Sequence, residues 1–201
     1  MLALCEQLCM IQMYQRDKNM TDIIFQALRF ATNAHSGQFR KSTKIPYIVH
    51  PIDVMQRLIQ CDASTEAIVA GILHDTLEDT PTTADELSAI FGDRITDLVQ
   101  GASETDKSLS WEERKEHTLC ELQNTDDIEL LMVVCADKLS NISSIAADLK
   151  IYGDILWTRF NRGFEQQKWY YISLAKIFAK HTDKSKLFAE YIKVVTQVFG
   201  K

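Results

Sequence analysis

The stretch "DDIELLMVVCADKLSNISSIAADL", residues 126–149, decides the fold. Leu130, Val134, Asp137, Asn141, Ser144 and Asp148 fall on one face of a helix at the 3-to-4 spacing. Apolar neighbours mark that face as inward, yet an aspartate and an asparagine interrupt it. A carboxylate buried without a partner costs on the order of a few kcal/mol. Lys138 or a nearby arginine is one source of a partner, although adjacent helix positions do not face each other and Lys138 fits poorly. A metal ion is another.

Working outward, the pattern is helical almost everywhere. "TDIIFQALRFATNAH" (21–35) places Ile24, Ala27, Leu28, Ala31 and His35 on one stripe, with Thr21 or Asp22 as N-cap. "SGQFRKSTKIPYIVHP" (36–51) is a loop, and Pro51 then starts a second helix, "IDVMQRLIQC". Ser64 or Thr65 caps a third, which runs into His74. "TPTTADELSAIFG" predicts a short helix stopped by Gly92; Asp93 opens another, ending near Gly101. A polar loop, "ASETDKSLS", precedes a charged helix from Trp111. After the long helix, two more are expected over about 157–180 and 184–199. Alternating β-branched runs are missing, so the expectation is an all-α single domain: an ancillary segment over 1–19, a core over 20–150, and C-terminal helices over 151–201 packing on that core.

The chain has 201 residues and a formal net charge of −6, which argues against broad attraction to nucleic acid or to an anionic membrane. Five cysteines (5, 9, 61, 120, 135) without CxxC spacing read as buried thiols of a reducing compartment. The N-terminus is apolar, lacks a basic n-region and carries Glu6, which makes a poor signal peptide. No stretch approaches the ~18 uninterrupted apolar residues of a membrane span. The expectation is a cytoplasmic protein with neither nucleic-acid nor membrane partners. Its apolar N-terminal arm could pack against a second copy.

"HDTLED", residues 74–79, ends the apolar run "EAIVAGIL". Read as a helix end, it puts like charges four apart at Asp75 and Asp79, near a terminus whose dipole already disfavours them. A divalent cation relieves that crowding. His50 at the mouth of one helix, His74 and Asp75 at the end of another, and Asp137 on the inner face of a third form a two-imidazole, two-carboxylate set suited to Mn²⁺, Fe²⁺ or Zn²⁺. Glu78 and Asp79 are left over, as a hydrolase requires to orient and deprotonate water. His35 reads as a packed, hydrogen-bonded histidine; His117 and His181 carry no special role.

His50, "HD" at 74–75 and Asp137 match the H…HD…D signature of HD-domain phosphohydrolases. With "AHSGQFRKSTKIPYIVHP", "ILHDTLEDT" and "ADKLSNI", residues 22–148 resemble the hydrolase domain of the RelA/SpoT family, and most of all its small stand-alone alarmone hydrolases and metazoan SpoT homologues. The resemblance implies a bundle of about ten helices and Mn²⁺-dependent removal of pyrophosphate from the 3′ position of (p)ppGpp. It makes His50, His74, Asp75 and Asp137 the metal ligands and Glu78 with Asp79 the pair that activates water. Arg40 and Lys41 would hold the phosphates of a nucleotide substrate, and Asn141 and Ser144 would lie on the substrate side, Asn141 either touching substrate or orienting a ligand.

The chain departs from the family at Ser143, where an arginine is usual, in a "RKSTKIPY" loop one residue longer, and in its aromatic C-terminal region. These departures leave the metal set intact and keep other substrates open: the 2′-phosphate of NADPH, an adenosine alarmone or a deoxynucleotide. A regulatory HD domain that binds without turnover is the third reading. Trp157, Phe160, Phe164 and Trp169 could offer a stacking surface; packing into the core is the favoured reading.

Overall fold

The computed structural model describes residues 20–41, 43–104 and 106–200. Helix α1 covers residues 20–34, α2 Val49–Gln60, α3 Thr65–Leu73, α4 Thr76–Asp79, α5 Ala84–Phe91, α6 Asp93–Ala102 and α7 Trp111–Asn124. The long α8 spans Ile128–Tyr152, followed by a 3₁₀ segment Gly153–Arg159, α9 Phe164–Phe178, a 3₁₀ turn Ala179–His181 and α10 Lys186–Phe199. Among the described residues there is no strand; one antiparallel bridge joins Phe39 to Pro46.

The starts of these helices are written locally. Ser64 accepts from the Ala67 amide at 3.1 Å, Thr83 from Glu86 at 3.2 Å, and Ser110 with Glu113 closes a capping box. Asp127 accepts from the Glu129 and Leu130 amides, and Arg94 grips Asp127 at 2.6 and 2.9 Å while also reaching Glu129. Gly92, at φ 85°, separates α5 from α6 in a conformation that costs glycine little.

Helix α8 is the hub and touches α2, α3, α6, α9 and α10. By length and composition, residues 128–159 would also pass for a membrane span, but most of that window lies inside the protein. Leu131, Val133, Cys135, Ala136, Leu139 and Ile142 are fully buried. At α3, Gly71 permits close contact: a Cβ there would overlap Leu58 Cδ1 and stand 3.2 Å from Val54 Cγ1. The approach of α2 to α3 depends on that missing methyl.

Several boundaries differ from expectation. Helix α1 already includes Met20, so Thr21 and Asp22 lie within its first turn rather than at its cap. Helix α2 opens at Val49, which puts His50 inside its first turn and Pro51 one position later, still among amides that lack an intrahelical partner. The C-terminal pattern breaks at Arg162–Gly163, so residues 157–163 precede α9. There Trp157 packs on Phe160, Phe164 and Phe199 with ring centroids 5.1–5.8 Å apart, in the core. Cys135 is buried as expected, whereas Cys120, on the polar face of α7, is exposed. The expectation for residues 1–19 lies outside the described residues.

Candidate metal centre and active site

The acids of "HDTLED" do not sit on one helix end. The chain breaks after Leu73, and Thr76–Asp79 forms a separate single turn, so Glu78 and Asp79 lie beyond the C-terminus of α3 rather than in its last turn. The crowding at the break itself remains.

His50 from α2, His74 and Asp75 from the α3–α4 break, and Asp137 from α8 converge. His74 Nε2 is 2.9 Å from Asp75 Oδ2 and 3.7 Å from Asp137 Oδ1. His50 Nε2 is 3.1 Å from Asp137 Oδ1 and 3.7 Å from Asp75 Oδ2. Ligand atoms from His50, His74 and Asp75 all lie within 4.8 Å of one another. Atoms about 2.1 Å from an octahedral ion stand about 3.0 Å apart when adjacent and about 4.2 Å apart when opposite, so these separations suit a common divalent ion.

The hydrogen bonding supports the same fit. His74 Nδ1 donates to the Gly71 carbonyl at 2.8 Å, and its Nε2 is buried without a hydrogen-bond partner. An orphaned ring nitrogen beside a carboxylate is costly unless a cation takes its lone pair. His50 Nδ1 pairs with Ser140 Oγ at 3.0 Å, and the tautomer donating there turns its Nε2 lone pair to the same centre. Burial holds the His50 pKa below its ordinary value. Burial also opposes charge on His74, but Asp75 and Asp137 outweigh it and raise its pKa. The two carboxylates thus favour positive charge at His74.

Lys138 does pair with Asp137, its ammonium 2.7 Å from Oδ2, contrary to the sequence reading. Neighbouring helix positions diverge, but four methylenes let lysine fold back across the turn. Burial works against that ammonium, and Asp137 outweighs it and raises the pKa. Asp137 thus has the lysine weighed from sequence on one oxygen, and the imidazoles with Asn141 near the other.

Glu78 Oε2 accepts from the Glu104 amide at 3.2 Å, and burial, helped by the charges of Glu104 and Asp75, raises its pKa. Asp79 is exposed; its carboxylate lies 3.5 Å from Lys107 Nζ and its carbonyl accepts from Gln38 Nε2 at 2.8 Å. Gln38 in turn receives a hydrogen bond from His35 Nδ1, so His35 is the packed, bonded histidine expected of it.

Of the residues expected to face a substrate, Arg40 donates to Asn141 Oδ1 at 2.8 Å, and Asn141 donates to Asp137 Oδ1 at 2.6 Å. Lys41 is exposed in the loop. Ser144 is exposed too, its hydroxyl donating to the Ser140 carbonyl at 3.1 Å. Sequence reasoning missed Tyr47, Ser140, Glu104 and Lys107. For Ser140, its place on the α8 face between Asp137 and Ser144 was an available signal; the others come from loops or long-range contacts.

The fold and the centre define a class, helical domains with a buried cluster of paired histidines and aspartates that could hold a divalent metal. A family model described as HD domain matches residues 27–151, and the chain belongs to the HD-domain family. It is 34% identical over 142 residues to a GTP pyrophosphokinase of Myxococcus xanthus, covering 67% of this chain and 18% of that protein. It is likewise 34% identical over 123 residues to a guanosine-3′,5′-bis(diphosphate) 3′-pyrophosphohydrolase of Aquifex aeolicus (strain VF5), covering 61% and 18%. The chain therefore spans under a fifth of the length of these curated relatives. Among solved structures, lmo0812 from Listeria monocytogenes EGD-e is 36% identical with a TM-score of 0.70, over 76% of this chain and 99% of that one. A metazoan ortholog of SpoT, described as hydrolysing ppGpp and acting in starvation responses, is 24% identical with a TM-score of 0.71, over 89% of this chain and 96% of that one; at this identity it bears on the fold alone.

Proposed function

We propose that this chain is a metal-dependent 3′-pyrophosphohydrolase of guanosine-3′,5′-bis(diphosphate), with Mn²⁺ as its ion. The observation that carries the reading is the buried, unbonded Nε2 of His74 facing Asp75. His50, His74, Asp75 and Asp137 hold the ion. When bound, it supplies positive charge to the phosphoryl oxygens and acidifies water.

The chain's own residues do the rest. Glu78, its orientation fixed by the Glu104 amide and its basicity raised by burial, accepts the proton of the attacking water. Asp79, exposed beside Lys107, orients that water. The water oxygen bonds to the phosphorus carried by the ribose 3′ oxygen, the P–O bond to the ribose breaks, and the 3′ oxygen takes up a proton. Arg40 and Lys41 offset the charge of the departing pyrophosphate. Asn141 holds Arg40 and Asp137 together, and Ser144 borders the substrate side. Residues 20–150 form the catalytic unit and 151–201 pack on it; the free thiols of Cys61 and Cys135 suit the cytosol.

A second reading, the same chemistry on another phosphorylated nucleotide, rests on the substrate side. The Ser144 hydroxyl is tied to its own helix and Lys41 is exposed, so selectivity there is less built than the metal set. Purified protein with Mn²⁺ is to be incubated with ppGpp, ppApp, NADPH and deoxynucleotides, following phosphate and pyrophosphate release. Pyrophosphate from ppGpp is expected. Phosphate from NADPH alone would replace the first reading with the second, and bound metal with no turnover of any compound would make the domain a binding module.

A further inference from the structure

We propose that Tyr47 is a positioning residue that ties the anion-binding loop to the metal ligands, its hydroxyl fixing Asp75 and its ring fixing Arg40. The inference rests on the roles proposed for Asp75, Asp137 and Arg40.

Tyr47 stands in the loop between α1 and α2. Its amide donates to Gln38 O at 3.0 Å and the Arg40 amide to Ile45 O at 2.9 Å, so a short antiparallel pairing sets both residues. The ring packs against His35 with centroids 4.8 Å apart and edge-on to His50 at 6.0 Å. From there the hydroxyl donates to Asp75 Oδ2 at 2.5 Å, the oxygen nearest His74 Nε2. A carboxylate oxygen has two lone-pair directions; with the phenol on one, the other is left for the centre. The donor is neutral, so it orients Asp75 without cancelling its charge. An ordinary phenol holds its proton at neutral pH, so the hydroxyl is a donor to the carboxylate.

The ring also serves Arg40. Its guanidinium carbon lies 5.7 Å from the Tyr47 centroid while its NH2 group donates to Asn141 Oδ1. Asn141 completes the path to Asp137 at 2.6 Å. The order Asp75, Tyr47, Arg40, Asn141, Asp137 therefore closes a circuit around the centre, with the one cation of the circuit placed where a phosphate would meet it. A guanidinium pinned from two sides has lost its freedom before the ligand arrives.

Two replacements separate the two contacts. Tyr47→Phe keeps the ring and deletes the hydroxyl; Tyr47→Leu deletes both. Full-length protein stripped with chelator is titrated with Mn²⁺, following free ion by electron paramagnetic resonance, and then with inorganic pyrophosphate at saturating Mn²⁺. For Tyr47→Phe the Mn²⁺ affinity is expected to fall about 10–100-fold, as for other groups that orient metal ligands, with pyrophosphate affinity within about 2-fold of the parent. For Tyr47→Leu the same Mn²⁺ loss is expected, with pyrophosphate affinity lower by about 2–5-fold, the scale of a part-exposed cation–π contact. If the Tyr47→Leu variant fails to fold by circular dichroism, Tyr47→Met fills the space without a π face. Parent-like Mn²⁺ binding by Tyr47→Phe, or equal pyrophosphate affinity of the Tyr47→Phe and Tyr47→Leu (or Tyr47→Met) variants, overturns the proposal. Neither readout requires turnover, so a parent protein inert toward ppGpp would defeat the proposed function and leave this comparison decisive.

Discussion

Replacing Gly71 with alanine tests how the metal site is held by the packing beneath it. The new methyl would overlap Leu58 Cδ1 and reach Val54 Cγ1 at 3.2 Å, and both side chains are fully buried. Overpacking of this kind costs about 1–3 kcal/mol, while alanine in a helix regains about 1 kcal/mol over glycine. The expected net loss is about 1 kcal/mol, or a fall in Tm of about 2–4 °C for a chain of this size. The effect on the site should be larger than on the fold, because α2 carries His50 and α3 leads into His74, and their Nε2 atoms must share a centre. Urea unfolding gives the stability, and a Mn²⁺ titration, expected to weaken about 10-fold on the scale of misplaced ligands, gives the site. Leu58→Ala alone should cost about 2–5 kcal/mol, and the double variant should cost less than the sum by about 1 kcal/mol, since the colliding atom is gone. Unchanged stability and Mn²⁺ affinity in Gly71→Ala, or strict additivity in the double variant, would refute the argument that this contact sets the distance between the helices.

Glu78→Gln should lower kcat about 10²–10⁴-fold with Mn²⁺ binding near parental, measured by steady-state kinetics and metal titration. Because the Glu78 pKa is raised in the folded protein, its contribution to stability is present below the unfolded value and lost as pH rises through the folded one. The glutamine variant should therefore gain stability relative to the parent at neutral pH and lose that gain in acid, as read from urea midpoints across pH. Asp127→Ala, which removes the cap of α8 and a partner of Arg94, should cost about 1–2 kcal/mol by urea unfolding; the exposed Arg94 contact adds little. Chelation should lower Tm by an amount that returns with Mn²⁺, equivalent to about 2.7 kcal/mol at 100-fold excess over Kd, as scanning calorimetry would record.

What was legible in the sequence was what is local in the chain. Ser64 caps α3 through a contact three residues away, and Ile24, Ala27, Leu28 and Ala31 lie half-buried to buried in α1, with His35 buried just past its end. His50, His74, Asp75 and Asp137 were readable because each sits where a charged or polar side chain has no local reason to be. The break between α3 and α4 was hidden because no glycine or proline marks it; His74 and Asp75 keep right-handed backbone angles while the hydrogen-bond ladder restarts. Lys138 escaped because helical spacing describes where side chains leave the backbone, not how far a flexible one returns. Tyr47 escaped because its partner Asp75 is 28 residues away and its loop has no period to violate.

Lys138 bears on what happens when the ion is withdrawn. With an ammonium already on one oxygen of Asp137, the hub helix is not left carrying a naked negative charge amid Leu131, Val133 and Leu139. The scaffold carries an internal counter-ion of its own, so emptying the centre loosens it without dismantling the bundle. Such a domain can be synthesised first and charged with metal afterwards.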